Sequence, residues 1–240
     1  MSLFDSFKKR STLDAAIKQV SLARKSEGGK AEQLYKGAYH GFAKVVVDNP
    51  VISEALYHWG FALLHEAATQ PTDQAIETLE DAISKFSFCL LTSPNYLGAA
   101  VDGGVTFMEL ARISPSQSHE YLYQMAQQFF EKAEAIQKGS ASYNLACIHA
   151  LSGDHAACKN ALELAKGHGT LPSEQAMLQD ADLSNIHELT WFKEFLEALK
   201  IQPEQKSTVE EEIITYEPSF NLKKTEDFDY YNSQPELTKE

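Results

Sequence analysis

The chain has 240 residues, 43% hydrophobic and 23% charged, enough to bury one substantial core and leave a tail beside it. Its net charge of -13 argues against nucleic acid, because phosphate binding needs clustered Lys and Arg and no basic patch offsets the acids. Residues Met1 to Arg10 lack an apolar run of signal-peptide length and no stretch approaches the ~20 apolar residues of a membrane span, so a cytoplasmic protein without a membrane span is expected.

Residues 1–10 read as an N-terminal arm, and helical periodicity then predicts hairpins in succession. Helices are expected over 11–24 and 31–48, 53–67 and 74–92, 96–111 and 118–136, and 140–151 and 154–166. Ser152-Gly153-Asp154 is a tight turn, with Gly as helix stop and Asp as cap of the next helix. After Pro172 an amphipathic run carries Trp191, Phe192, Phe195, Leu196 and Leu199 on one side, suited to cap helix B of the last hairpin. The repeat domain with its cap spans 11–202. From 203 to 240, ten acids face four Lys without helical periodicity, which predicts a disordered acidic tail. Within it Phe228, Tyr230 and Tyr231 alternate with acids in the manner of a short docking motif.

The hairpins repeat one pattern. Their second helices carry Ala38, Phe42, Val45 and Pro50; Ala82, Phe86, Cys89 and Pro94; Ala126, Phe130 and Ala133; and Cys158, Leu162 and Ala165. Gly60 and Gly104 each follow a repeat's Pro by ten residues, where two helices would cross closely. This spacing resembles the tetratricopeptide repeat. The resemblance implies an all-α, right-handed α-solenoid of about four hairpins with a C-terminal capping helix. One departure recurs: Leu63 to Ala82 and Phe107 to Ala126 are each nineteen residues where the repeat asks for nine, and only His149 to Cys158 obeys it. The added residues are expected in turns at 26–29, 70–73 and 114–117.

No catalytic constellation emerges, so neither an enzyme nor a cofactor is expected. His58 and His65 could share a helix face beside Glu66, but no HExxH or paired CxxC completes a metal site. Three cysteines, an odd number without paired spacing, fit a reducing compartment, with Cys89 and Cys158 as small core residues.

The tetratricopeptide resemblance implies a concave groove lined by the first helix of each hairpin. It places Tyr57, Phe61 and Leu64, then Val101, Val105 and Met108, then Tyr143 and Cys147 there as partner-binding residues. The carboxylate clamp of chaperone-binding relatives is not reproduced, since Asp14, Lys18 and Phe61 stand where its Lys and Asn residues belong. An apolar groove suits an amphipathic helix or extended apolar segment. The expected function is a non-catalytic adaptor or assembly factor with a protein or peptide client. The alternative is an import-receptor-like module that recognises amphipathic targeting peptides, since plant mitochondrial import receptors resemble this arrangement in their lengthened hairpins. Those receptors end in a membrane anchor and this chain in an acidic tail, which puts the adaptor first.

Overall fold

The structure, a computed structural model, describes residues 3–47, 51–115 and 119–200. The expected tail with Phe228, Tyr230 and Tyr231, Pro50, and part of the 114–117 turn lie outside them. Among the described residues there is no strand. The helices are α1 (Leu3–Arg24), α2 (Gly28–Val46), α3 (Ile52–Ala67), α4 (Thr72–Thr92), α5 (Leu97–Ile113), α6 (His119–Ile136), α7 (Ser142–Leu151), α8 (His155–Gly167) and α9 (Glu174–Gln179), followed by a 3-10 helix (Ala181–Ile186) and α10 (Thr190–Lys200). The all-α class is as expected.

Packing follows chain order, as stacked hairpins require. The chain divides into two compact units at Phe129–Phe130. In the first, α1 packs on α2, α2 on α3, α3 on α4 and α4 on α5. In the second, α7 packs on α8 and on the 3-10 helix.

The repeat pattern accounts for the core. Ala38, Phe42, Val45, Ala82, Phe86, Cys89, Ala126, Phe130, Ala133, Cys158, Leu162 and Ala165 are all at 0% exposure. Recurrence at three or four residues puts them on one stripe of α2, α4, α6 and α8, which the neighbouring helices cover. Glycines permit the close crossings. A Cβ on Gly41 would lie 2.8 Å from the Ala16 Cβ, and one on Gly60 would lie 2.9 Å from the Phe86 ring. Another close approach is at Gly103, against the Phe129 ring, one residue before the Gly104 of the sequence register.

Two boundary expectations change. Residues 3–10, expected as an arm, belong to α1. The extra residues of the long hairpins lengthen helices rather than turns: only 25–27 separate α1 from α2, and only 68–71 separate α3 from α4. Pro71 reads as a turn residue but stands at the N-cap of α4, where its missing N–H leaves no helix bond unmade.

In the second unit the 152–154 turn is as expected. Gly153 adopts φ +74, open to a residue without a Cβ, and the Asp154 carboxylate accepts the Ala157 N–H at 2.9 Å. The Glu134 carboxylate accepts the N–H groups of Gly139 (2.9 Å) and Ala141 (2.8 Å) and the Ser142 hydroxyl (2.9 Å), tying α6 to the start of α7. On α10 Phe192, Phe195 and Leu196 are buried, and Lys166 of α8 lies 5.7 Å from the Phe195 ring centroid. The amphipathic run therefore does meet helix B of the last hairpin.

Candidate functional site

In the first unit the helices expected to line a groove are α3 and α5. The structure brings Tyr57, Phe61, Leu64, Val101, Val105 and Met108 onto these two helices, and all six are buried. The sequence reading left them without internal partners; the structure gives them partners. Tyr57 has ring neighbours in Phe61, Phe86 and Tyr96, the last at 5.0 Å between centroids. Phe61 lies edge-on to His65 at 4.3 Å, with the Arg24 guanidinium 5.3 Å from its centroid. Burial on α5 runs unbroken from Gly98 to Ala111. Such a helix has no solvated face.

A polar pair crosses this apolar region. The Tyr57 hydroxyl donates to Asp102 Oδ2 at 3.0 Å, and Thr106 Oγ1 donates to the Asp102 carbonyl at 2.6 Å. Burial pushes the Asp102 carboxyl up to about 7, against the opposing pull of the Tyr57 hydrogen bond and the Arg24 charge. His58 is driven down to about 3 by burial, with the Arg10 charge adding to it, and burial likewise holds His65 well below the usual range. Both rings are neutral at physiological pH, which suits packing residues such as His58 against the Tyr57 ring at 5.0 Å.

Arginines edge the same helices. Arg10 on α1 donates to Glu54 Oε2 at 2.6 Å and lies 3.3 Å from Asp14, and Arg112 pairs with Glu109 on α5. Neither Asp102 nor the arginines were picked out by the repeat pattern. The only signal was a lone acid inside the apolar run 98–108.

The second unit treats its two expected groove residues differently. The Tyr143 hydroxyl donates to Asp180 Oδ2 at 2.8 Å, and the Cys147 thiol donates to the same oxygen at 3.7 Å. Both residues face the segment after α9 rather than an open surface, because Asp180 caps the 3-10 helix there by accepting the Asp182 N–H at 3.0 Å. The thiol of Cys147 and the carboxylates of Asp180 and Asp182 fall within 4.8 Å of one another, all buried. Capping and the Tyr143 contact already occupy both Asp180 oxygens.

Cys89 and Cys158 are core residues as expected. Burial pushes each thiol up to about 12, and Cys89 donates to the Ser53 carbonyl at 3.2 Å. Both are protonated at neutral pH and poor nucleophiles.

Comparison with known families finds one relationship. The family described as "plant specific mitochondrial import receptor subunit TOM20" has a model that matches residues 32–154, from within α2 through α7 and slightly more than half of the chain. Neither the curated proteins nor the solved structures returned a match. The family is one of import receptors rather than of enzymes. Its mitochondrial character overturns the expectation of a cytoplasmic protein, which rested on composition and on the want of an apolar segment. No described helix is long and apolar enough to cross a membrane, but attachment to an organelle needs no spanning helix within these residues. With this match running through the stacked hairpins, the chain belongs to the plant-specific mitochondrial import receptor subunit TOM20 family.

Proposed function

We propose that the protein is a non-catalytic receptor that binds the targeting segments of mitochondrial precursor proteins on its helical hairpins, which we read as tetratricopeptide-like repeats. The observation that carries this is the family match over 32–154, because the matched residues are the hairpins themselves. The reading that came second in the sequence therefore comes first.

The chemistry is compatible with such a client. Mitochondrial targeting peptides are amphipathic, Arg-rich and poor in acids. A chain of net charge -13 attracts a basic peptide over distance. Phe61, Val101, Val105 and Met108 on α3 and α5 are buried in this structure, so they would accept the peptide's apolar stripe only once these helices open to expose them, as an amphipathic helix needs an apolar groove to enter. Tyr143 and Cys147 are left out of this surface because both are engaged with Asp180.

An import reaction tests the proposal. The purified protein, added in excess to isolated mitochondria with a labelled precursor, should sequester the precursor and slow its uptake. Uptake unaffected by the protein at any excess would refute a receptor role.

A further inference from the structure

A client reaches the buried residues of α3 and α5 only through an opening, whereas the outer side of α4 is open already. Asp73, Glu77, Glu80, Ser84, Phe88 and Leu91 recur on α4 at three- or four-residue spacing, and all six are exposed. At about 3.6 residues per turn they form one stripe, on the side opposite the buried stripe that includes Leu79 and Phe86. Through that buried side α4 packs on α3 and α5.

The exposed stripe has two halves of different chemistry. Its first three residues, Asp73, Glu77 and Glu80, are acids, and none of them has an ion-pair partner among the described residues. Lys85, the one base of α4, is already engaged: it pairs with Asp81 and lies 4.8 Å from the Trp59 ring centroid. The last two residues of the stripe are large and apolar. Leu91 is 75% exposed, and Phe88, one turn before it, is 58% exposed. A lone exposed leucine needs no explanation, but an aromatic and an aliphatic side chain side by side at the end of an acidic stripe leave apolar surface in water where a partner would remove it. From Asp73 to Leu91 the stripe is about 27 Å long at ~1.5 Å per residue, the length of a helix of about 18 residues.

Charge selects the occupant. A second copy of this chain, at a net charge of -13, and the chain's own acid-rich region 203–240 are both repelled by these acids. A basic segment that also carries apolar side chains meets both halves, its cations over Asp73, Glu77 and Glu80 and its apolar groups on Phe88 and Leu91. We infer that the outer face of α4 is a docking surface for the basic amphipathic segment of the client, engaged while α3 and α5 stay closed. The nature of that client rests on the receptor reading.

The test is a fluorescence anisotropy titration of the full chain with a basic amphipathic peptide of about 20 residues. Two variants are compared with the parent: Phe88→Ser with Leu91→Ser, and Glu77→Gln with Glu80→Gln. All four positions are exposed, so circular dichroism and thermal melting should match the parent's. The expected result is at least about threefold weaker binding by each variant, with a shallower loss of affinity on adding salt in the glutamine variant alone. If the parent binds and either variant binds as tightly, the inference is overturned and the receptor reading stands. Tighter binding by the serine variant would mean that another part of the chain or a second copy lies on Phe88 and Leu91, which also overturns it. A parent that binds no such peptide overturns the receptor reading and the docking together.

Discussion

The Tyr57 hydroxyl donates to Asp102 at 3.0 Å in a site that water does not reach, linking α3 to α5 by one hydrogen bond to a carboxyl group. Because burial raises that carboxyl from 3.8 to about 7, the folded state holds its proton more tightly than the unfolded state does. The stabilisation this gives is fully present below pH 4 and is lost as pH rises through 7. Asp102→Asn keeps an acceptor for Tyr57 without a charge to bury. The stability of the variant relative to the parent should therefore rise between pH 4 and pH 8, by at most about 4 kcal/mol. Urea unfolding of both proteins at several pH values measures it, and a difference that is flat with pH would reject it.

Gly60→Ala should destabilise the protein by roughly 1–3 kcal/mol. The added methyl would meet the Phe86 ring at 2.9 Å, and Phe86 is itself fully buried, so neither side can move away cheaply. Gly29→Ala is the control, since its Cβ meets nothing within 4 Å. It should be neutral or slightly stabilising, through loss of freedom in the unfolded chain. Thermal melts distinguish the two, and equal midpoints would contradict the close crossing of α3 and α4.

Glu134→Ala should cost about 1–3 kcal/mol, because it strands two backbone N–H groups and the Ser142 hydroxyl at the start of α7. Glu134→Gln, which retains an acceptor oxygen, should lose less. The order of the two variants in denaturant midpoint is the measurement.

With thiol pKa values near 12, Cys89 and Cys158 should resist alkylation in the folded protein at pH 8 and react fully once it is unfolded. Mass spectrometry after a timed iodoacetamide pulse reads this directly. Rapid native labelling of either would contradict their burial.

The hairpin order and its core could be read from the sequence because both follow from short-range spacing. Ala82 and Phe86 lie four residues apart on one stripe of α4, and the stripe is buried as periodicity requires. The small residue at Gly60 was legible for the same reason. Phe61, Val101 and Met108 were placed on the right helices, yet their burial was not foreseen, since periodicity tells which side a residue occupies and not what lies over that side. The partner of Tyr143 and Cys147 was out of reach of periodicity for the same reason: Asp180 comes from a segment more than thirty residues away. The long hairpins were assigned to turns because Pro71 and the Gly28-Gly29 pair read locally as breakers, whereas both stand at helix starts. Residues 1–10 were missed as helix although Leu3, Phe4 and Phe7 have helical spacing, because so short an apolar run followed by Lys8-Lys9-Arg10 reads as an arm. The import-receptor reading was legible as the alternative, through the lengthened hairpins at Leu63–Ala82 and Phe107–Ala126, and the family match brings it forward.

A receptor for targeting segments must tell an amphipathic basic peptide from one of equal charge without an apolar stripe. A fluorescence anisotropy titration of the full chain tests it most directly, using a basic amphipathic peptide of about 20 residues and a scrambled peptide of the same composition whose apolar stripe is destroyed. The expected result is saturable binding of the first, at least ~10-fold weaker binding of the second (about 1.4 kcal/mol), and loss of affinity for the first on Phe61→Ala. Equal binding of the two peptides, which charge alone would produce, or no binding of either, would contradict it.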